Sequence, residues 1–367
     1  MNTMRKLWLA GVLAAGCAVG LARAQGEIPG YTGNEYDPPT PEWRGQAGMT
    51  FLQVGGSARG EALGGAFISI KGDPSVIFYN PAGVATIKGY AVYANRTNWI
   101  ADIVMNHFAA VASVWRFTTG VTFMNMDYGD IVGTRIVDVS VSPSGYEHIG
   151  MLNPSSWALG GFYAMPLTDR FNFGVHVKYV RQDLGQNDVY TFTGVTPKYT
   201  GAVSKNRVGT FAVDLGTQYN MGLRNITINM ALQHFASPQR YIDTQSKFDL
   251  PLTYRVGLAG DAIEIITGLE NPVHKVMVYV DGMDQRDVVL DVAAGVEYLG
   301  DFSAMVPGLK VALRAGRRAA RYQDGWLNFG GGIEFALGKF DARLDYAYSD
   351  YGPGLTANRL GLSLLVK

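Results

Sequence analysis

Histidines, acidic residues and potential nucleophiles are the side chains with which this sequence could perform catalysis or hold a metal ion. The five histidines are His107, His148, His176, His234 and His274. Their positions show no metal-ligand spacing. No Ser/His/Asp arrangement is recognisable either, so the sequence predicts neither an enzyme nor a cofactor.

Two further motifs have a superficial likeness to ligand-binding loops. Residues 281–287 are rich in aspartate, as calcium loops are, but the bidentate glutamate at the twelfth loop position is missing. We interpret them as a solvated loop. Glycines 330–332 lie in a predicted strand without a following helix, so they do not form a phosphate loop. Glycine there favours bending or the close approach of another segment.

One local excess of positive charge stands out in a chain whose net charge is zero. It consists of Arg314, Arg317, Arg318 and Arg321. Arginine suits bidentate phosphate contact, so contact with lipopolysaccharide phosphates or an acidic partner is one interpretation. An ordinary external loop is the other. The balanced overall charge gives no indication of a nucleic-acid partner.

The N-terminus has the pattern of a secretory signal peptide. Arg5 and Lys6 precede a short apolar stretch, and Ala22-Arg23-Ala24 provides the exit, so cleavage is predicted after Ala24. A lipoprotein site at Cys17 is the alternative. Because Cys17 is the only cysteine, the mature chain would have no disulfide and no thiol chemistry.

The composition after residue 24 is typical of an exported β-protein. Charged residues make up 17% of the chain, below the roughly 25% of soluble proteins. No run of 18 apolar residues follows the signal peptide, so no membrane-spanning helix is predicted. A membrane protein without such helices must be a closed barrel. A secreted β-sandwich or propeller is the alternative that composition leaves open.

Alternation of polar and apolar residues favours the barrel. In residues 340–348 the charged side chains share one face and the aromatic ones the other, and residues 171–179, 211–219, 226–233 and 309–314 repeat this period of two. In a membrane barrel the polar face lines the lumen. The predicted lumen residues are His176, Lys178, Asp214, Lys310, Arg314, Glu334, Asp341, Arg343 and Asp345. Their mixed signs indicate a paired network rather than an ion-conducting pore.

The links between predicted strands alternate in length, as in outer-membrane barrels. Short links fall near residues 115–116, 166–170, 220–224, 300–308 and 338–339. Long polar links fall at 127–155, 183–206, 236–250, 317–325 and 350–357. The fold class predicted is all-β, a transmembrane antiparallel barrel of about 14 strands with both ends in the periplasm. The moderately long link at 260–271 is predicted to hold a short helix at 262–266.

Four segments follow from these patterns. They are a signal peptide (1–24), an irregular periplasmic arm (25–56), a plug (57–88) and the barrel (89–367). In the plug, Asn80-Pro81-Ala82-Gly83 predicts a tight, rigid turn, because proline fixes φ and glycine permits a reversal. A mere turn before the first strand is the alternative, and no chemical role is assigned to Asn80.

The plug segment also resembles a known family. Ser57-Ala58-Arg59, Gly64-Gly65-Ala66-Phe67, Asp73-Pro74-Ser75 and Asn80-Pro81-Ala82-Gly83 are similar to the PorV/PorQ outer-membrane proteins, which are related to FadL-type transporters of hydrophobic compounds. The similarity is specific over residues 57–85 and looser at 251–258 and 357–361. The plug residues that it implies are Gly64, Gly65, Asp73, Ser75, Asn80, Pro81, Ala82 and Gly83. The final Lys367 departs from the terminal aromatic of many outer-membrane barrels.

The resemblance implies two competing functions in the Gram-negative outer membrane. A PorV-like barrel would serve type IX secretion, binding secreted proteins with C-terminal sorting domains and other secretion components at the links 127–155 and 183–206. A FadL-like barrel would instead pass a hydrophobic small molecule past the plug and through a lateral gap in the wall. In both cases outer-membrane lipid surrounds the chain. An outer-membrane barrel enzyme is the least supported alternative.

Overall fold

The computed structural model describes residues 47–140, 142–193, 196–241, 247–286, 288–320, 323–352 and 354–366. The predicted signal peptide with Cys17, residues 25–46 of the predicted arm, Arg321 and Lys367 lie outside these residues. Within the described part, fourteen antiparallel strands close a barrel in which the first strand pairs with the last. The predicted fold class and strand number are therefore confirmed.

The strands follow one another around the wall, apart from an inserted hairpin (β4 and β5) that forms a separate two-stranded sheet. Their bounds are β1 Tyr90–Asn98, β2 Val104–Val114, β3 Phe117–Asp127, β4 Ile131–Ile136, β5 Tyr146–Leu152, β6 Ser155–Pro166, β7 Phe171–Thr193, β8 Thr196–Asn220, β9 Thr227–Phe235, β10 Thr253–Asp261, β11 His274–Gln285, β12 Val288–Asp301, β13 Leu309–Ala320, β14 Gln323–Leu337, β15 Phe340–Asp350 and β16 Thr356–Val366.

Helical turns occupy the segment before β1 and two links. The α-helices are α1 Ala58–Ala62 and α2 Ala262–Thr267, and the 3-10 helices are Thr50–Gln53, Pro74–Phe78, Pro81–Thr86 and Ile100–Asp102. The helix predicted at 262–266 is thus confirmed as α2. The Asp261 carboxylate accepts from Ile263 N at its start, and Gly268 ends it at φ 77°. No helix among the described residues combines the length and the apolar character needed to cross a membrane.

The outer surface of the barrel is apolar and the inner surface is polar or small. In β16, Leu360, Leu362 and Leu364 are about half exposed. Arg359 and Ser363, which lie on the opposite face of the strand, are buried in the lumen. Exposed leucines in such a continuous belt are unfavourable in water and match the lipid-facing surface of a membrane barrel. The alternation therefore has the inverted sense that the sequence predicted.

Two predicted long links are strands instead of loops. Most of residues 183–206 belongs to β7 and β8, which form a hairpin that continues beyond the barrel wall. Of residues 317–325, those at 317–320 belong to β13 and those at 323–325 to β14, whereas 321 and 322 lie outside the described residues. Their polar composition suggested loops. A polar segment that extends into water can also form a hairpin, however, because cross-strand hydrogen bonds pair its backbone groups. The link 127–155 contains the β4–β5 hairpin.

The acidic segment at 281–287 is also not a solvated loop. Its first five residues belong to β11, and Asp281 is 1% exposed on the lumen side. The aspartates had suggested a loop because strands are usually poor in aspartate. In this barrel the inner face receives Asp281 because the plug supplies donors for its carboxylate.

Residues 47–56 were predicted to belong to a periplasmic arm. They lie instead at the opposite end of the barrel. Ala47 forms a parallel bridge with Asp249, close to the start of β10. Met49, Phe51 and Leu52 are buried among lumen residues of β2 and β3. This end carries the extended β7–β8 hairpin and the β4–β5 hairpin, so it is the extracellular end. The chain thus enters the lumen here and runs toward the periplasmic start of β1.

The plug fills the lumen from residue 57 to residue 87, and glycines on the inner wall let its backbone approach. A Cβ built on Gly316 would lie 2.0 Å from the carbonyl carbon of Leu63, and one on Gly174 would lie 2.4 Å from that of Pro81. A Cβ on Gly330 would lie 2.5 Å from the Cβ of Ala62. Gly330 belongs to the run 330–332, so close approach is what the glycine there permits.

The effect of replacing a wall glycine on stability should therefore depend on whether that glycine faces the plug or the outer surface of the barrel. Gly316→Ala places a methyl group against the plug backbone and should lower the free energy of unfolding by about 1–3 kcal/mol through overpacking. Gly331→Ala is the matched control, since a Cβ on Gly331 would lie at an ordinary 3.5 Å from its nearest neighbour, the Ala312 carbonyl oxygen. Urea unfolding of both variants in lipid vesicles measures the difference. Equal stability of the two variants would contradict close packing of the plug.

Candidate functional site: the plug and the cavity beside it

Asn80 is the residue on which the tight turn of the plug depends. Its side chain is fully buried, and its Oδ1 accepts from Ala82 N at 3.0 Å, which caps the 3-10 helix that begins at Pro81. Its Nδ2 donates to the carbonyls of Ile68 (2.9 Å) and Thr217 (3.2 Å). Asn80 thus holds two plug segments together and ties them to β8. No chemical role could be predicted for Asn80, because its long-range partners cannot be identified from the motif.

Asp73 and Ser75 begin the preceding helical turn in the same way. The Asp73 carboxylate accepts from both the backbone N–H and the hydroxyl of Ser75. The Ser75 hydroxyl also lies 2.9 Å from that of Ser57. Gly64 and Gly65 adopt φ values of 70° and 86°, which side chains disfavour, and they reverse the chain where it touches β13. The eight predicted plug residues therefore all lie in the lumen.

The plug is joined to the wall by a closed ring of six charges. Each arginine contacts two carboxylates and each carboxylate two arginines, at nitrogen-to-oxygen distances of 2.5 to 3.0 Å. In order around the ring they are Arg59, Glu297, Arg314, Asp345, Arg343 and Asp73. We name this the charge ring. The plug supplies two members and β12, β13 and β15 supply four.

Alternation of charge explains how the ring can be buried. Three positive and three negative groups leave no net charge, and every ion has two partners, which offsets the cost of removing it from water. Burial alone raises the pKa of the Asp73 carboxyl, but Arg343 and Arg59 together with the Ser75 bonds lower it below its usual range. Asp73 therefore stays ionised and holds the plug to β15.

Hydrogen bonds to the plug backbone secure its other side. The Asp281 carboxylate accepts from the backbone N–H groups of Phe67 (2.8 Å) and Ile68 (3.2 Å). The Gln218 amide donates to the carbonyls of Ile68 and Ile70. These bonds satisfy backbone groups of an irregular segment that has no strand partner. The plug is therefore held on both sides of the lumen.

A second polar cluster lies on β3, β7, β8 and β9. The Asp214 carboxylate accepts from Lys178 Nζ (2.9 and 2.7 Å) and from His176 Nδ1 (2.9 Å). On the other side of the ring, His176 Nε2 lies within hydrogen-bond distance of the Thr122 hydroxyl (2.8 Å). Lys178 also donates to His234 Nδ1 at 2.9 Å. His234 sits in a β-bulge at φ 62°, where its backbone N–H reaches Asp214.

Hydroxyl, imidazole and carboxylate follow one another here as in a hydrolase triad. Lys178, however, binds both oxygens of Asp214 and neutralises the charge that such a triad uses to stabilise the imidazolium. The Thr122 hydroxyl is also buried against His176 rather than presented to a substrate. The arrangement therefore favours a closed polar network over nucleophilic catalysis.

This cluster borders a cavity of about 20 Å³ beside the plug, which we name the upper cavity. Its polar wall consists of His107, Thr122, His176, Lys178, Asp214 and His234. Its apolar wall consists of Leu52, Val54, Phe78, Met124 and Ala158. The volume suffices for roughly one water-sized group, since a water needs about 10–15 Å³.

Above this cavity, on the side of β2, β3 and β6 to β8, the extracellular half of the lumen carries an apolar cluster that is rich in methionine. The buried side chains of this mouth cluster are Met49, Phe51, Leu52, Met105, Met124, Met126, Ala158, Val180, Val208, Ala212 and Leu250. Methionine is flexible and adapts to irregular apolar shapes. Leu52, Met124 and Ala158 also line the upper cavity, so the two regions adjoin.

A larger cavity of about 300 Å³, which we name the lower cavity, lies on the periplasmic side of the plug. Ile70 and Lys71 of the plug form part of its wall, with Asn220, Asp261 and Lys275 among the residues opposite. Partial burial lowers the pKa of the Lys71 ammonium. The plug thus separates a small upper cavity from a larger lower one whose wall combines charged and apolar residues.

The remaining predicted site residues are dispersed. Lys310 and Glu334 pair at 3.0 Å with partly exposed side chains, and Asp341 is buried on the lumen side of β15. Arg314 belongs to the charge ring, and Arg318 binds Asp291 at 2.7 Å. Both lie in the lumen on β13 rather than in an external loop. Arg317 faces outward by the alternation of β13.

Several site residues escaped the sequence interpretation. Arg59 lies in the recognised motif, but its pairing with Glu297 over 238 positions leaves no local signal. Asp281 was assigned to a loop. His107 and His234 were seen as scattered histidines, and only the closure of the barrel brings them to one cavity.

Comparison with solved structures finds this fold in channels and transporters. The monoaromatic hydrocarbon channel CymD gives a TM-score of 0.53 at 10% identity over 85% of this chain and 96% of CymD. The Pseudomonas putida toluene transporter TodX gives 0.51 at 13% over 85% and 97%. A Pseudomonas aeruginosa FadL homologue gives 0.52 at 9% over 85% and 98%. Neither the protein-family models nor the curated sequences match this chain.

The protein is thus a fourteen-stranded antiparallel barrel with a lumenal plug, and its fold is that of the FadL-type hydrocarbon channels. At identities this low the similarity establishes the fold alone.

The charge ring should stabilise the protein far more than a pair at the rim does. Arg314→Met leaves Glu297 and Asp345 each without one buried partner and should cost about 3–5 kcal/mol in free energy of unfolding. Lys310→Met on the same strand removes the same charge from a partly exposed pair and should cost under about 1 kcal/mol. Urea unfolding in vesicles compares the two. Similar losses would show that the ring does not hold the plug.

Proposed function

We propose that the protein lies in the outer membrane of a Gram-negative bacterium and passes hydrophobic small molecules inward past the plug. The observation that carries this proposal is the apolar, methionine-rich mouth cluster in the extracellular half of the lumen. A pore for ions or sugars needs a polar, water-filled lumen there. An apolar entrance instead favours molecules that gain free energy by leaving water.

The two cavities define the route. A molecule that enters through the mouth cluster reaches the upper cavity, where Phe78 of the plug forms part of the wall. Below the plug, the molecule reaches the lower cavity, whose wall includes the charged side chains of Lys71, Asp261 and Lys275. Charged groups at the exit lower the affinity for an apolar molecule and so favour its release into water. For a molecule to pass from the upper cavity to the lower one, the plug must move.

The structural neighbours agree with this substrate class. CymD is a monoaromatic hydrocarbon channel and TodX a toluene transporter, and their folds match this chain over 96% and 97% of their own length. The predicted lateral gap is not seen, because the described strands pair around the whole wall. The proposed route therefore runs past the plug, and exit through the wall stays a prediction.

Type IX secretion stays a prediction that rests on the resemblance of residues 57–85 alone. The β4–β5 hairpin and the extended β7–β8 hairpin offer external surface for cargo. Deleting the gene distinguishes the two functions. Secreted proteins trapped in the periplasm would favour secretion, whereas unchanged secretion with slower uptake of an apolar compound would favour transport.

A disulfide between plug and wall tests the route directly. A Cβ built on Gly361 of β16 lies 3.4 Å from the Cβ of Ala58, close to the roughly 3.5–4.5 Å of a disulfide. In cells with Ala58→Cys and Gly361→Cys, uptake of radiolabelled toluene should fall under oxidation to the rate of cells without the gene. A reductant should restore it, because the plug is then free to move.

The two single-cysteine variants are the controls, and their uptake should not respond to oxidation. Uptake that continues unchanged through the oxidised double variant would show that passage does not require movement of the plug. Equal toluene uptake with and without the gene would contradict transport altogether.

A further inference from the structure

His107 is a polar side chain whose hydrogen-bonding capacity is unused. It lies on the inner face of β2, is 0% exposed and packs edge-on against Phe78 at 5.0 Å between ring centroids. Neither of its ring nitrogens has a hydrogen-bond partner among the described residues. Leaving such a buried group unsatisfied costs roughly 1–3 kcal/mol, so a position like this requires an explanation.

The surroundings of His107 are built to keep the imidazole in place. A Cβ on Gly56 would lie 2.7 Å from its Cδ2 and 3.0 Å from its Nε2, so only glycine leaves room for the ring there. Phe78 holds the other side. The imidazole therefore lines the upper cavity in a fixed orientation. In its neutral form it offers one donor and one acceptor.

The charge of the cavity is already balanced. Lys178 is the one cation and Asp214 the one carboxylate among its lining residues, and they bind each other at 2.7 Å. A ligand that brought a second negative or positive charge would leave an unpaired ion in a buried site, which is costly. A neutral polar group carries no such penalty.

Size and polarity divide the cavity into two parts. The present volume of about 20 Å³ admits a group of hydroxyl size beside the polar wall. The rest of a ligand would extend toward Leu52 and Val54, which now cover the apolar side. These two belong to residues 47–56, which few polar contacts attach to the wall, among them Gly48 N to the Asp249 carbonyl (3.0 Å).

From this geometry we propose that, on the proposed route, the upper cavity selects apolar molecules that carry one neutral hydroxyl group, such as phenols and alcohols. The hydroxyl pairs with a ring nitrogen of His107, and the apolar part takes the place of Leu52 and Val54 against Met124 and Phe78. Hydrocarbons without a hydroxyl pass but leave His107 unpaired. Carboxylates are rejected by the balanced charge of Lys178 and Asp214.

Three ligands with the same tail and different head groups test this inference. They are 4-propylphenol, propylbenzene and 4-propylbenzoate, measured at pH 7 by equilibrium dialysis against the full-length protein in lipid nanodiscs, with partition into empty nanodiscs subtracted. The phenol should bind about tenfold more tightly than propylbenzene, as one buried hydrogen bond and a satisfied imidazole predict. The benzoate should bind at least about tenfold more weakly than the phenol.

His107→Leu should abolish the preference for the phenol over propylbenzene while leaving propylbenzene bound. His148→Leu is the matched control, because His148 is exposed on the β5 hairpin strand, and it should keep the full preference. His107→Gln retains a donor and an acceptor and should keep part of it. Leu52→Ala should tighten binding of both neutral ligands. Heat-dependent gel migration identifies the variants that fold.

Equal binding of the phenol and propylbenzene by the native protein, or an unchanged preference in folded His107→Leu and His107→Gln, would overturn the inference. That result would leave the proposed function standing if toluene uptake still depends on the gene. Loss of gene-dependent toluene uptake would instead remove the proposed function, whatever the dialysis shows.

Discussion

Alternating attraction around the charge ring is the interaction on which the rest of the structure depends. Arg59 and Asp73 could not lie inside a membrane barrel unless Glu297, Arg314, Asp345 and Arg343 met them there. Because each ion has two partners of opposite sign, the ring joins three wall strands to two turns of the plug. The position of the plug then decides which lumen surface is left for cavities.

The wall is shaped to receive the plug as well as to pair with it. Where the plug backbone passes, the strands carry glycine, and where the plug presents unpaired backbone groups, they carry Asp281 and Gln218. On the side of β2, β3 and β6 to β8, the inner wall turns apolar toward the extracellular end. The polar inner face of the barrel therefore has two uses: it anchors the plug on one side and borders the upper cavity on the other.

Much of the fold could be predicted from the sequence, because each strand carries its own period-two pattern and each link its own length. Strand number, the inverted faces, the helix α2 and the lumen position of the plug motif follow from such local signals. The partner of Asn80 in β8 and that of Arg59 in β12 could not, since they lie 137 and 238 positions away. The cavity beside His107 could not either, because it forms only when the barrel closes. The prediction for Asp281 in β11 was wrong because an aspartate-rich segment indicates a loop, whereas the partner of this carboxylate is the plug backbone.

The order of the ring members along the chain has a consequence for how the protein folds. Arg59 and Asp73 are near the start, whereas their four partners lie in the last third of the sequence, up to 270 positions away. Contacts of such separation form late. Until β12 to β15 arrive, Arg59 and Asp73 have only each other as counter-ions and stay in water. The plug therefore becomes locked only as the final strands join, so lumen filling and barrel closure are one cooperative event.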